Sequence, residues 1–172
     1  METVEGACVP SVCVAGHWWG AAEVTDTARG WLAALHEQES EARPLAAVVP
    51  PSHEGVALFA AIGARRGAAV ILSHDPQAWP DRLSLMAGLR LALPPALHAC
   101  ADEARRRGFE PLLLARGARA DARLAFQPLQ TDGFVVLTSG STGQPKAVYR
   151  LASRMAAGIR ARNEALGLQI GA

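Results

Sequence analysis

Along the chain, apolar residues first take up a helical rhythm at Ala28, Trp31, Leu32 and Leu35, with Thr25 and Asp26 upstream as candidate caps. This spacing predicts a helix over residues 25–38. The run "LAAVV" at 45–49 is a short buried strand by composition, ended by Pro50-Pro51 because proline offers no amide to a ladder. The period then changes. Ser52 is placed to cap a helix whose stripe is Val56, Phe59, Ala60 and Gly63, with Leu58 and Ile62 beside it and Gly67 as its stop. "AAVILS" follows as a second buried strand. Strand, helix and strand within about thirty residues make a βαβ unit with a right-handed crossover and a parallel pair.

Beyond it, leucines and Met86 recur at mixed helical spacing over 81–93, and "PPALHACADEARRRG" reads as a helix opened by proline and closed by Gly108. "EPLLLA" behaves as a third strand. Residues 116–132 alternate small, charged and polar types and predict a surface connection to a strand at 133–138. "AVYR" returns as a further strand, and Met155, Ile159 and Leu166 predict a last helix over 151–168 with Gly167 near its end. No repeat or linker divides the chain. The expected fold class is α/β: a parallel-rich sheet with flanking helices, built from βαβ units.

Composition narrows the function classes. Half of the 172 residues are apolar and 19% are charged, which suits a folded core and not a disordered chain. A formal net charge of +1 supplies no field for steering nucleic acid, so no nucleic-acid partner is expected. Cys8, Cys13 and Cys100 lack zinc spacing and suit buried or inert thiols in a reducing compartment. The opening "METVEGACVP" has acids where a secretory signal has bases, and Arg65-Arg66 interrupt the longest apolar stretch. A cytoplasmic chain without a membrane span is the expectation.

The candidate chemistry lies in "LTSGSTGQPK", residues 137–146, which follows the apolar run Phe134-Val135-Val136. A strand running into Ser139-Gly140-Ser141-Thr142-Gly143 brings consecutive amides to one concave place, and such nests bind anions. Gly140 and Gly143 allow close approach, Ser141 and Thr142 add hydroxyl donors, and Lys146 brings a point charge. These residue types suit a polyphosphate, although composition alone leaves a hairpin turn open. Residue order excludes two commoner nucleotide loops. Gln144 and Pro145 stand between Gly143 and the lysine, against G-x-x-x-x-G-K-[ST], and G-x-G-x-x-G is absent.

From Thr138 to Val148 the order resembles the signature T-S-G-S-T-G-x-P-K of the adenylate-forming superfamily, which includes acyl- and aryl-CoA synthetases, peptide-synthetase adenylation domains and luciferases. Ala147 departs from that family's usual glycine. The stretch "VVPPSHEGVALFAAIGARRGAAVILSHDP" is similar to the family's strand, V-x-x-P-x-S helix and return strand, without the usual proline near Leu72 or Ser73. The resemblance spans about Ala28 to the end of the chain. It implies that residues 1–172 form a partial, incomplete N-terminal AMP-binding domain with no C-terminal domain within the chain. The remainder of the polypeptide would then be a necessary partner, and the 172 residues alone would be inactive.

The resemblance further implies that a small carboxylic acid attacks Mg-ATP, forms an acyl-adenylate and releases pyrophosphate. The acyl group would then pass to coenzyme A or to the phosphopantetheine of an acyl carrier protein. Thr138, Ser139, Gly140, Ser141, Thr142, Gly143 and Lys146 would hold the nucleotide's phosphates, with Thr142 and Lys146 acting catalytically as charge grows on pyrophosphate. ATP, Mg2+ and the acceptor thiol are the implied cofactors. No protein metal ligand is assigned. A catalytically inactive remnant or nucleotide-binding regulatory module is the competing reading, and an unrelated nucleotide hydrolase ranks last.

Other candidates have plainer explanations. His53-Glu54 begins like a zinc-protease helix but Ala57 stands where the second histidine is needed, and His17, His36, His74 and His98 show no ligand spacing. Arg105, Arg106 and Arg107 suit the negative end of a helix. Trp18, Trp19 and Trp31 are expected to pack the first helix against the sheet.

Overall fold

The proline pair and Ser52 shape the centre of the molecule. In the computed structural model, which describes residues 11–14, 16–38, 44–79, 88–115, 131–138 and 146–167, the elements are β1 (Val12–Val14), β2 (His17–Trp19), α1 (Ala21–Gln38), β3 (Leu45–Val48), α2 (His53–Ala64), β4 (Ala68–Leu72), β5 (Arg90–Leu93), α3 (Ala101–Arg106), β6 (Glu110–Leu113), β7 (Gly133–Thr138), β8 (Lys146–Leu151) and α4 (Ala152–Ala165). The Ser52 hydroxyl accepts a hydrogen bond from the Gly55 amide at 3.2 Å, so the expected cap of α2 is present. Gly67 follows the helix at φ 87° and turns the chain into β4.

β3 and β4 pair in parallel, Leu45 opposite Ala69, which is the expected βαβ unit. The main sheet has the order β6-β5-β3-β4-β7-β8. Its first five strands run parallel and β8 runs antiparallel to β7. The fold class is therefore α/β with a parallel-rich sheet. Side chains of β3 alternate between two cores: Leu45 and Ala47 join Trp31, Leu35, Leu58 and Ile62, whereas Ala46 and Val48 join Trp79, Ala104 and Phe109. Helices α1 and α2 cover one face and α3 the other. Burial on both faces explains why β3 reads as an unbroken apolar run. The buried Trp31 indole donates to the Ala115 carbonyl at 2.9 Å, tying α1 to the residues just past β6.

Several expectations are corrected. α1 begins at Ala21, where the Gly20 carbonyl accepts from the Val24 amide, so Thr25 and Asp26 lie inside the helix and Thr25 is buried. Within 81–93, residues 81–87 lie outside the described set and 90–93 form a strand parallel to β3. A short apolar run carries too few residues to separate the two periods. The single helix expected over 94–108 is a 3-10 helix, Pro95–Cys100, followed by the short α3. β1 and β2 form a separate hairpin that the apolar pattern does not announce. On it Trp18 is 70% exposed, so it does not pack α1, while Trp19 stacks on His53 with ring centroids 3.4 Å apart. Of the thiols expected to be buried or inert, Cys13 is exposed and Cys100 half-buried, which leaves only the second alternative for them, and Cys8 lies outside the described residues.

The arginine run at the end of α3 answers local acids as well as the helix terminus. Arg105 pairs with Asp102 at 2.6 Å, Arg106 with Glu103, and Arg107 with Glu103 at 2.5 Å. The hydrogen bond from Arg107 holds the Glu103 carboxyl below its ordinary range; desolvation opposes the shift and Arg106 supports it. A depressed carboxylate stabilises the fold above its unfolded-state pKa, and that contribution is lost as pH falls through the folded value.

Candidate phosphate-binding hairpin

The loop that carries the candidate chemistry joins β7 to β8. Their antiparallel register sets Val136 opposite Val148 and Thr138 opposite Lys146, so the last residue before the loop and the lysine after it form a direct cross-strand pair. Directly opposed residues share a face of the sheet. Thr138 and Lys146 are both exposed, and the Thr138 hydroxyl donates to the Lys146 carbonyl at 3.3 Å. The structure thus brings these two predicted site residues together. Ser139, Gly140, Ser141, Thr142 and Gly143 lie outside the described residues.

The base of the hairpin is fastened to the βαβ unit by residues that sequence reasoning did not single out. The buried Thr131 hydroxyl donates to the Gly67 carbonyl at 2.7 Å, and the Thr131 amide donates to the Gly63 carbonyl at 3.1 Å. Gly133 begins β7, and a Cβ there would stand 2.4 Å from the Arg150 carbonyl and 2.9 Å from the Tyr149 ring. Only a glycine lets β8 lie this close. A glycine opening a strand is the one sequence signal of such an approach. Thr131→Val is expected to cost about 1–3 kcal/mol, since it leaves the Gly67 carbonyl without its donor. A thermal melt checks it.

Parallel strands deliver their C-terminal ends to one edge, and in open α/β sheets ligands sit in the crevice outside that edge, where the direction of the connections reverses. Here the chain steps from β3 outward to β4, returns past β3 to β5 and β6, and crosses again to β7. β7 ends at Thr138, and β8 begins at Lys146, at this C-terminal edge. Among the described residues there is no group of three or more His, Cys, Asp or Glu able to hold a metal. No helix among the described residues is long and apolar enough to cross a membrane.

No protein-family model and no curated protein matches this sequence. Solved structures do match. A mutant form of the amide bond synthetase McbA from Marinactinospora thermotolerans is 23% identical, with a TM-score of 0.66 over 92% of this chain and 34% of that one. The o-succinylbenzoate CoA synthetase MenE from Bacillus subtilis, in complex with its acyl-adenylate intermediate, is 17% identical, with a TM-score of 0.65 over 91% of this chain and 33% of that one. VinN in complex with L-aspartate is 18% identical, with a TM-score of 0.66 over 89% of this chain and 42% of that one. The fold is thus one shared with adenylate-forming enzymes. This chain spans about a third of the length of the first two.

Proposed function

We propose that this chain is the N-terminal part of an ATP-dependent acid ligase that activates a carboxylate as its acyl-adenylate. The observation that carries the reading is the position of the signature loop: it joins two strands whose end residues, Thr138 and Lys146, are paired at the C-terminal edge of a parallel sheet. A carboxylate resists nucleophiles because it is anionic and oxide leaves poorly. Adenylation replaces oxide with AMP as leaving group. In the first step pyrophosphate leaves instead, and its growing charge is where loop amides, the hydroxyls of Thr138, Ser139, Ser141 and Thr142, and the Lys146 ammonium act.

The activated acyl group then passes to the thiol of coenzyme A or of a carrier protein. An amine acceptor is the competing outcome, favoured by the name of one structural neighbour, an amide bond synthetase. The 172 residues alone bind Mg-ATP weakly and complete no adenylation in this reading, because further segments close the site. Titration of inorganic pyrophosphate and Mg-ATP into the chain, followed by phosphorus NMR, tests the loop directly. Binding that Thr142→Val weakens supports the reading. No line broadening at millimolar ligand, or robust acyl-adenylate formation by the isolated chain, counts against it.

A further inference from the structure

We propose that the cavity between the end of β8 and the first turn of α4 binds a phosphate monoester of a small apolar or aromatic alcohol, a role beyond the function proposed above and independent of it. The cavity measures about 290 Å³ and is lined by Tyr149, Arg150, Leu151, Arg154 and Met155, all within the described residues. That is the small end of the range for ligand sites, roughly 300–1,000 Å³. Lys146 opens β8 and Leu151 closes it, so Arg150 lies about 13 Å along the strand from Lys146.

The lining divides into a cationic part and an apolar part. Arg150 and Arg154 are exposed, and neither makes a hydrogen bond or ion pair with another described residue. Each guanidinium presents paired donors that match two oxygens of one phosphate, and two of them match the charge of a dianion, where a carboxylate needs one. The local sequence strengthens the positive field: residues 146–167 hold Lys146, Arg150, Arg154, Arg160 and Arg162 against Glu164, in a chain whose formal net charge is only +1. Asp132 stands close by through its carbonyl, which accepts the Ala152 amide at 3.2 Å, but its carboxylate pairs with neither arginine of the cavity. That bond and the burial of Ala152 fix the start of α4, and Met155 packs against the α1–α2 core. The Tyr149 ring lies against Gly133, where even a Cβ would come within 2.9 Å of it, and its half-exposed face is free to cover a ligand's apolar body.

Tyr149 is the chain's only tyrosine, so its ring protons report on the cavity in an NMR titration with phenyl phosphate. Those signals are expected to move and to saturate with a Kd of about 1 mM or below, about tenfold tighter than inorganic phosphate, as for burial of about 60 Å² of the added ring. Arg150→Gln and Arg154→Gln are each expected to weaken binding about tenfold, as for one lost hydrogen bond to a charged group. Their melting temperatures stay unchanged, because both side chains are exposed. Arg162→Gln removes the same charge from α4 outside the cavity and is expected to leave binding within about twofold of wild type. Stationary Tyr149 signals at about 10 mM phenyl phosphate overturn the inference. So does an Arg162 variant weakened as much as the other two, since that is diffuse attraction to a basic surface. Benzoate bound as tightly as phenyl phosphate removes the phosphate from the assignment, and inorganic phosphate bound as tightly removes the apolar body; either result overturns it.

Discussion

Replacing Gly55 by alanine is expected to destabilise the fold by about 3 kcal/mol or more and to lower its melting temperature by roughly 6–12 °C. The new Cβ would lie 1.8 Å from the Pro50 carbonyl oxygen and 2.9 Å from its carbon. That carbonyl cannot simply retreat, since it accepts the Ser52 amide at 2.8 Å in the turn that caps α2. Gly63, in the same helix, has open space within 4 Å of the place a methyl would take, and it supplies the control. Gly63→Ala is expected to stabilise by about 0.5–1 kcal/mol through helix propensity. Circular-dichroism melts of both variants decide the matter. A Gly55→Ala melt within 2 °C or so of wild type would show that the 50–52 turn yields at little cost.

Second in size is the loss of turnover on removing a loop donor. In any polypeptide that carries this chain and forms an acyl-adenylate, Lys146→Ala or Thr142→Val is expected to lower carboxylate-dependent ATP–pyrophosphate exchange by ~100-fold or more. A unit charge pair at ~4 Å is worth about 4 kcal/mol at an effective dielectric near 20, before desolvation is subtracted. Because Lys146 is exposed, its removal leaves the melting temperature nearly unchanged. Exchange retained within about twofold would assign the loop to chain reversal and nothing more.

The strands that the sequence made legible are those whose apolar runs are bounded by turn residues: β3 before Pro50-Pro51, β4 after Gly67, and β7 before the loop. β5 was hidden because Leu91-Ala92-Leu93 follows other leucines, and three residues do not separate a period of 2 from one of 3.6. The β1–β2 hairpin offers only three residues per strand. For the candidate site, residue order carried the information, since composition alone describes any turn. Thr131 was invisible for a different reason. Its hydroxyl partner, Gly67, lies 64 residues away in sequence, and such a contact exists only after the sheet has formed.

The open flank of the sheet gives Lys146 a second effect. β8 is the outermost strand among those described, and an outermost strand presents unpaired amides and carbonyls on which another chain can add. Lys146, Val148 and Arg150 alternate along one face of it. Two copies pairing antiparallel about Val148 would set each Lys146 against the other's Arg150, and like charges directly opposed disfavour the pair. The cation proposed to meet the leaving pyrophosphate would thus also oppose such edge pairing, so a Lys146 variant has to be compared with wild type at matched, low concentration.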